Sequence, residues 1–166
     1  MSNDDGKTII WMNENRQDID FQIRVLEDRG HNVQLGQSFL QLHELLMEAI
    51  ANGPNTLRAV ILNMMAEDAG YLPEYYPELF AHPKVRSVSL TYGAGLLYLE
   101  RVLLEDSRFG ALQDVPVILN SSRPLTDEEV HKISAANARG WNVRFVGKFD
   151  AFELVDVVRN LPPRQT

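Results

Sequence analysis

The residues of this 166-residue chain whose side chains could bind a ligand or take part in a reaction follow the ends of apolar, strand-like runs. They are Asn13, Glu14, Asn63, Ser121 and Lys148. In sheets of parallel strands, ligand sites form where loops leave the carboxyl ends of the strands. There a glutamate could give an oxygen ligand to a cation, a lysine could hold an anion, and a serine offers a hydroxyl. A fold that gathers these strand ends would place all five side chains at one edge.

Alternating strand-like and helix-like segments can form a parallel sheet that brings these strand ends together. Thr8–Met12 is a short continuous apolar run, typical of a strand covered on both faces. Ile19, Ile23 and Leu26 recur at i, i+4 and i+7, which predicts a helix over about 17–29. The remaining predicted strands are 32–35, at a sheet edge, and 57–62, 115–119 and 142–146. The remaining predicted helices begin at Ser38, near Leu96, at the capping box Thr126–Glu129 and after Asp150. The alternation predicts one α/β domain over residues 1–166 with a largely parallel sheet.

The composition excludes several classes of function. The absence of cysteine rules out a disulfide scaffold, a thiolate zinc site and a cysteine nucleophile. Sixteen basic against 23 acidic residues give a net charge of −7, which disfavours binding to nucleic-acid phosphates. Residues 1–7 are polar and acidic, and no apolar run approaches ~20 residues, so we expect no secretory signal, no membrane span and a cytoplasmic location.

Four segments around the strand ends match a known pattern in order. They are Ile10–Asn15, Ala59–Met65, Pro116–Ser122 and Phe145–Asp150. Together they resemble the response-regulator receiver family, in which an acidic pair follows strand 1, a phosphoaccepting aspartate ends strand 3, a threonine or serine ends strand 4 and a lysine ends strand 5. The resemblance implies a flavodoxin-like, three-layer α/β/α fold with a mostly parallel five-stranded sheet. It also implies a non-enzymatic two-component signalling module with a protein partner, a contact face on the last helices and strand, and a homodimer as one option.

Two acidic positions of that family hold amides in this chain. Asn63 stands at the phosphoacceptor position, and an amide is neither anionic nor a phosphoryl nucleophile. Asn13 replaces the first acid, which leaves Glu14 as a weak candidate for a metal ligand, and one carboxylate with two amides is a poor Mg²⁺ site. We therefore expect a pseudo-receiver that acts by protein–protein contact, without phosphorylation at Asn63, without a cofactor and with weak or absent Mg²⁺ binding.

Several interpretations of these polar residues stay open. Lys148 could pair with Glu14 across the vestigial pocket, or it could be an ordinary surface lysine. Asn13 and Asn63 could be strand-end amides that satisfy loop backbone. Phosphorylation of Ser121 or of a loop acid is a further alternative.

The segment 66–93 is longer than the short loop that usually follows a strand in such folds. Val85–Leu90 alternates like a strand, so this insertion either adds a βα unit with a sixth strand or forms a decorated loop. Its aromatic residues either cover a sheet edge or form a partner surface, since tyrosine and phenylalanine are enriched in interface cores. These residues are Tyr71, Tyr75, Tyr76 and Phe80.

A second class of function rests on Gly93-Ala94-Gly95, which follows a predicted strand and opens a helix. This pattern is part of a dinucleotide fingerprint, but Tyr98 occupies the third glycine position and no ribose-binding acid is evident. The alternative is therefore a small α/β nucleotide- or metabolite-binding protein or enzyme. Its site would lie at the strand ends near Gly93–Gly95 and residues 120–122, which include Ser121.

Overall fold

The computed structural model describes residues 8–65, 93–148 and 151–162. The predicted strand Val85–Leu90 and the predicted cap Asp150 lie outside the described residues. So do the four aromatic residues of the insertion, Tyr71, Tyr75, Tyr76 and Phe80. The choice between a sixth strand and a decorated loop therefore stays a prediction.

Five strands form one sheet in the spatial order β2-β1-β3-β4-β5, and every neighbouring pair is parallel. This order is that of the flavodoxin-like, doubly wound fold, so the predicted fold class is confirmed. The predicted edge strand, β2, lies at the sheet edge. The strand bounds are β1 Thr8–Met12, β2 Asn32–Gly36, β3 Leu57–Asn63, β4 Val117–Ser121 and β5 Val143–Gly147.

Helices cover both faces of the sheet, because successive strand side chains point to opposite sides. Ile9 and Trp11 of β1 belong to the apolar layer under α1 and α5, whereas Ile10 and Met12 belong to the layer under α2, α3 and α4. All four side chains are fully buried. The helix bounds are α1 Asp20–Asp28, α2 Phe39–Asn52, α3 Ala94–Tyr98, α4 Asp127–Ala138 and α5 Ala151–Arg159.

Local signals in the sequence explain where several helices begin and end. The Ser38 side chain accepts a hydrogen bond from the Gln41 backbone and so caps α2, as predicted. Thr126 and Glu129 form the predicted reciprocal capping box of α4. Gly30, after α1, has a φ of 87°, the left-handed conformation in which glycine carries no Cβ penalty.

The structure corrects the start of two predicted helices. The helix predicted over 17–29 begins as a 3₁₀ turn at Arg16–Asp18, capped by the Asn15 side chain, before α1 proper. The helix predicted from Leu96 begins two residues earlier, as α3, and continues as a π-helical turn over Leu99–Leu103. Local hydrogen bonding at these turns differs from the α pattern, and apolar periodicity carries no signal for that difference.

None of the described helices is both long and apolar enough to cross a membrane.

Candidate functional site at the carboxyl ends of the strands

The parallel register brings the predicted polar residues to one edge of the sheet. Asn63 at the end of β3 stands beside Asn120 of β4, and Ser121 stands beside Gly147 of β5. Asn13 and Asn63 directly follow the paired residues Met12 and Leu62. Asn13, Asn63, Asn120 and Ser121 are all buried, at 2%, 8%, 3% and 1% exposure.

Lys148, just after β5, is tied to this edge at two atoms. Its ammonium Nζ donates to Asn63 Oδ1 at 2.9 Å, and its backbone N–H donates to the Ser121 carbonyl at 2.9 Å. Burial lowers the pKa of Lys148, because the charged form loses water, and the nearby Asp18 carboxylate partly opposes that shift. Lys148 is thus a half-buried cation that is hydrogen-bonded at the carboxyl ends of the strands, not an ordinary surface lysine.

The ion pair between Glu14 and Lys148, one of the open interpretations, is not among the contacts of Lys148 with the described residues. The side-chain partner of Lys148 among the described residues is the Asn63 amide oxygen. Glu14 lies one residue past the sheet edge, in the loop after Asn13, and is only partly exposed. Asn63 ends β3, which is one strand nearer to β5 in the sheet than β1 is, and Glu14 lies in the loop after β1.

Asn13 and Ser121 accept hydrogen bonds from loop backbone, which for Asn13 is one of the open interpretations, whereas the Asn63 amide oxygen accepts from Lys148 and Asn120 donates to a strand carbonyl. Asn13 Oδ1 accepts the Asn15 N–H at 3.0 Å, and Ser121 Oγ accepts the Arg123 N–H at 3.2 Å. Asn120 Nδ2 donates to the Val146 carbonyl at 2.8 Å. Asn13 Nδ2 is buried without a hydrogen-bond partner among the described residues, which leaves the two N–H donors of this amide available at this edge.

These residues do not fit Mg²⁺. A magnesium ion in a protein needs oxygen ligands that usually include carboxylate charge. Asn63 already gives its amide oxygen to a cation, the Lys148 ammonium, and Asn13 gives its oxygen to loop backbone. Within residues 8–65, 93–148 and 151–162, no group of three or more His, Asp or Glu side chains could hold a metal ion.

A salt bridge fixes the loop between β4 and α4. The Arg123 guanidinium binds the Glu129 carboxylate through two hydrogen bonds of 2.7 and 2.8 Å. These bonds, together with those from Thr126, lower the pKa of Glu129 to about 2. The loop that carries Ser122 is therefore held against the first turn of α4.

A cavity of about 310 Å³ opens beside Lys148, on the α1 and α5 side of the sheet. It was not predicted from the sequence, although residues 120–122 were part of the alternative site. Its walls come from β4, β5, the turn before α1, α1 itself and α5. The lining residues are Asp18, Ile19, Gln22, Asn120, Ser122, Gly147, Lys148 and Leu154.

Gly95 of the alternative site has a packing explanation. Gly95 donates its N–H to the Met64 carbonyl at 3.2 Å, and a Cβ at this position would lie 2.5 Å from the Asn63 carbonyl oxygen. Only glycine lets α3 approach the end of β3 so closely. Gly93 and Gly95 are not among the residues that line the cavity.

The sheet order and helix placement are those of the flavodoxin-like fold, and solved structures of response-regulator receiver domains share this fold. The N-terminal domain of a response-regulator receiver protein from Methanoculleus marisnigri matches at 20% identity and a TM-score of 0.51, over 95% of this chain and 98% of that one. A Vibrio cholerae chemotaxis protein matches at 11% identity and a TM-score of 0.56, over 95% and 99%.

A response regulator of Burkholderia multivorans matches at 15% identity and a TM-score of 0.53, over 96% of this chain and 98% of that one. No protein-family model and no curated protein matches the chain. The likeness to solved structures therefore establishes the fold, and function has to be argued from the site.

Proposed function

We propose that this chain is a non-enzymatic regulatory module of two-component type that acts through protein–protein contact, without phosphorylation at the end of β3. The observation that carries the proposal is the bond from Lys148 Nζ to Asn63 Oδ1 at 2.9 Å. The lysine of a receiver is present, but it holds an amide where the family has its phosphoaccepting aspartate.

The chemistry of that amide supports the proposal. A phosphoryl acceptor needs a nucleophilic carboxylate, and an asparagine side chain offers a weak, neutral oxygen instead. The ammonium of Lys148 is also satisfied in part by Asn63, so the pair is held in one geometry without a phosphoryl group. A signal that depends on forming an aspartyl phosphate has no acceptor at this position.

Two surfaces are candidates for the partner contact. One is the aromatic set Tyr71, Tyr75, Tyr76 and Phe80 of the insertion. The other includes the last helix, where Phe152 of α5 and Phe21 of α1 are 55% and 50% exposed. Their rings meet edge to face with centroids 5.4 Å apart, so they form one apolar patch, and exposed apolar patches mark interaction sites. A second copy of the chain is one partner that such a patch could bind.

The test is an amide NMR titration with Mg²⁺ followed by beryllofluoride, a mimic of the aspartyl phosphate. We expect no saturable shifts at Glu14, Asn63, Ser121 and Lys148 in the wild-type protein. Saturable shifts at these residues would contradict the proposal.

The Asn13→Asp/Asn63→Asp double variant is the matched control for this titration. It restores two carboxylates beside Glu14 at the same positions, and we expect it to gain Mg²⁺ binding at this edge. If the double variant responds and the wild type does not, the two amides are the cause of the difference.

A further inference from the structure

The cavity beside Lys148 carries two opposite charges that do not neutralise each other. Lys148 and Asp18 both line it, and the carboxylate is close enough to influence the pKa of the lysine. The Lys148 nitrogen and the Asp18 carboxylate oxygens, however, lie more than 4.0 Å apart and form no salt bridge. The Lys148 ammonium and the Asp18 carboxylate thus line the same cavity without forming an ion pair.

The hydrogen bonds of Lys148 leave capacity for a ligand. An ammonium has three N–H donors, and one of them is directed at Asn63 Oδ1. Among the described residues, no other side chain accepts from Lys148 Nζ. Two donors of a half-buried cation therefore remain for a group in the cavity, and an anionic oxygen, such as that of a carboxylate or a phosphate, makes the strongest hydrogen bonds to such donors.

The rest of the lining fits a small polar molecule with an aliphatic part. Asn120 and Gln22 supply amides and Ser122 supplies a hydroxyl. Ile19 and Leu154, which are 2% and 3% exposed, give apolar wall on the helix side. The volume of about 310 Å³ lies at the lower end of the range of roughly 300–1,000 Å³ typical of small-molecule sites.

We propose that this cavity binds a small zwitterion of the amino-acid class, with its carboxylate on the Lys148 ammonium and its cationic amine toward the Asp18 carboxylate. A simple cation would be repelled by Lys148, and a phosphate dianion would be repelled by Asp18. A zwitterion satisfies both charges at once. This site does not depend on the proposed signalling function, because its occupancy is a property of the isolated chain.

The experiment titrates the wild-type protein with each standard amino acid, using calorimetry and amide NMR. Acetate and ethylamine serve as probes that carry one of the two charges, and inorganic phosphate tests for a plain anion site. We expect at least one amino acid to give saturable shifts at Ile19, Gln22, Asn120 and Gly147. Acetate and ethylamine should bind at least about tenfold more weakly, because each loses one charge-assisted contact.

Two variants test the two charges separately. Asp18→Asn and Lys148→Met should each weaken the amino acid at least about tenfold. Asp28→Asn, at the exposed far end of α1, removes the same charge away from the cavity and should leave binding unchanged. Asp18 is exposed, so its variant keeps the test decisive even if Lys148→Met does not fold.

Three results would overturn the inference. They are the absence of saturable binding by any amino acid, an Asp18→Asn variant that binds like the wild type, and binding of phosphate with no binding of amino acids. The beryllofluoride titration at Asn63 is read separately, so each proposal can fail while the other stands.

Discussion

Two half-buried cations lie at opposite ends of the same parallel sheet, and they have different partners. Arg58, the second residue of β3, donates to the Val158 and Arg159 carbonyls at the end of α5 and to the Leu161 and Pro162 carbonyls just after it. Lys148, after β5, donates its ammonium to one amide oxygen. Burial lowers the pKa of both side chains.

The difference separates a structural cation from a cation at a site. Helices end with carbonyl groups that lack partners, and Arg58 supplies donors to several of them while opposing the negative end of the helix dipole. Lys148 keeps donors that no described side chain uses and lines a cavity. Arg58 also keeps a buried Nε–H without a partner among the described residues, but it does not line this cavity. Unused donors beside a cavity, rather than burial or unused donors alone, therefore distinguish the carboxyl edge as the candidate ligand site.

We expect the largest effect on stability from a substitution of Arg58, at the amino end of β3. Arg58→Met should lower the free energy of unfolding by about 2–4 kcal/mol, because four carbonyls at the end of the chain's last helix lose a charged donor and two of these hydrogen bonds are part-buried. Urea denaturation followed by circular dichroism measures it. Arg58→Lys is the matched control and should recover only part of the loss, since an ammonium lacks the planar fork that reaches several carbonyls. Full recovery by lysine would show that charge alone matters at this position.

We expect an intermediate effect on stability from a substitution of Glu129, which holds the loop beside the cavity. The pKa of Glu129 is lowered to about 2 from 4.5, so its ion pair with Arg123 stabilises the fold above about pH 4.5 and this contribution is lost as pH falls toward 2. Glu129→Gln should cost roughly 1–2 kcal/mol at neutral pH and flatten this acid dependence. Denaturation midpoints measured across that pH range test it, and an unchanged acid profile in the variant would contradict it.

The smallest effect on stability is expected at Lys148. Lys148→Met removes a cation that burial disfavours and that has one acceptor, so we expect a change of less than about 1 kcal/mol in either direction. The same urea series measures it beside Arg58→Met. A loss as large as that of the arginine variant would show that Lys148 is structural and would remove the contrast between the two ends.

The sequence predicted the sheet and the edge at which the candidate site residues lie, but not the contacts among them. Apolar runs and caps were sufficient for all five described strands, and the strand ends identified Asn13, Asn63, Ser121 and Lys148. The choice of Asn63 over Glu14 as the partner of Lys148 depends on the register between strands far apart in the chain. The cavity is lined both by Asp18, in the turn before α1, and by Leu154 of α5, and no local sequence pattern predicts that these two segments line one cavity.

The bonds from Arg58 to the end of α5 also have a consequence for how the chain folds. They join residues 100 to 104 positions apart in sequence. Such a contact can form only after a large loop has closed, and closing it costs entropy before the contact returns any stability. We therefore expect α5 to dock late, on a sheet that is already assembled, with Arg58 contributing more to slow unfolding than to fast folding.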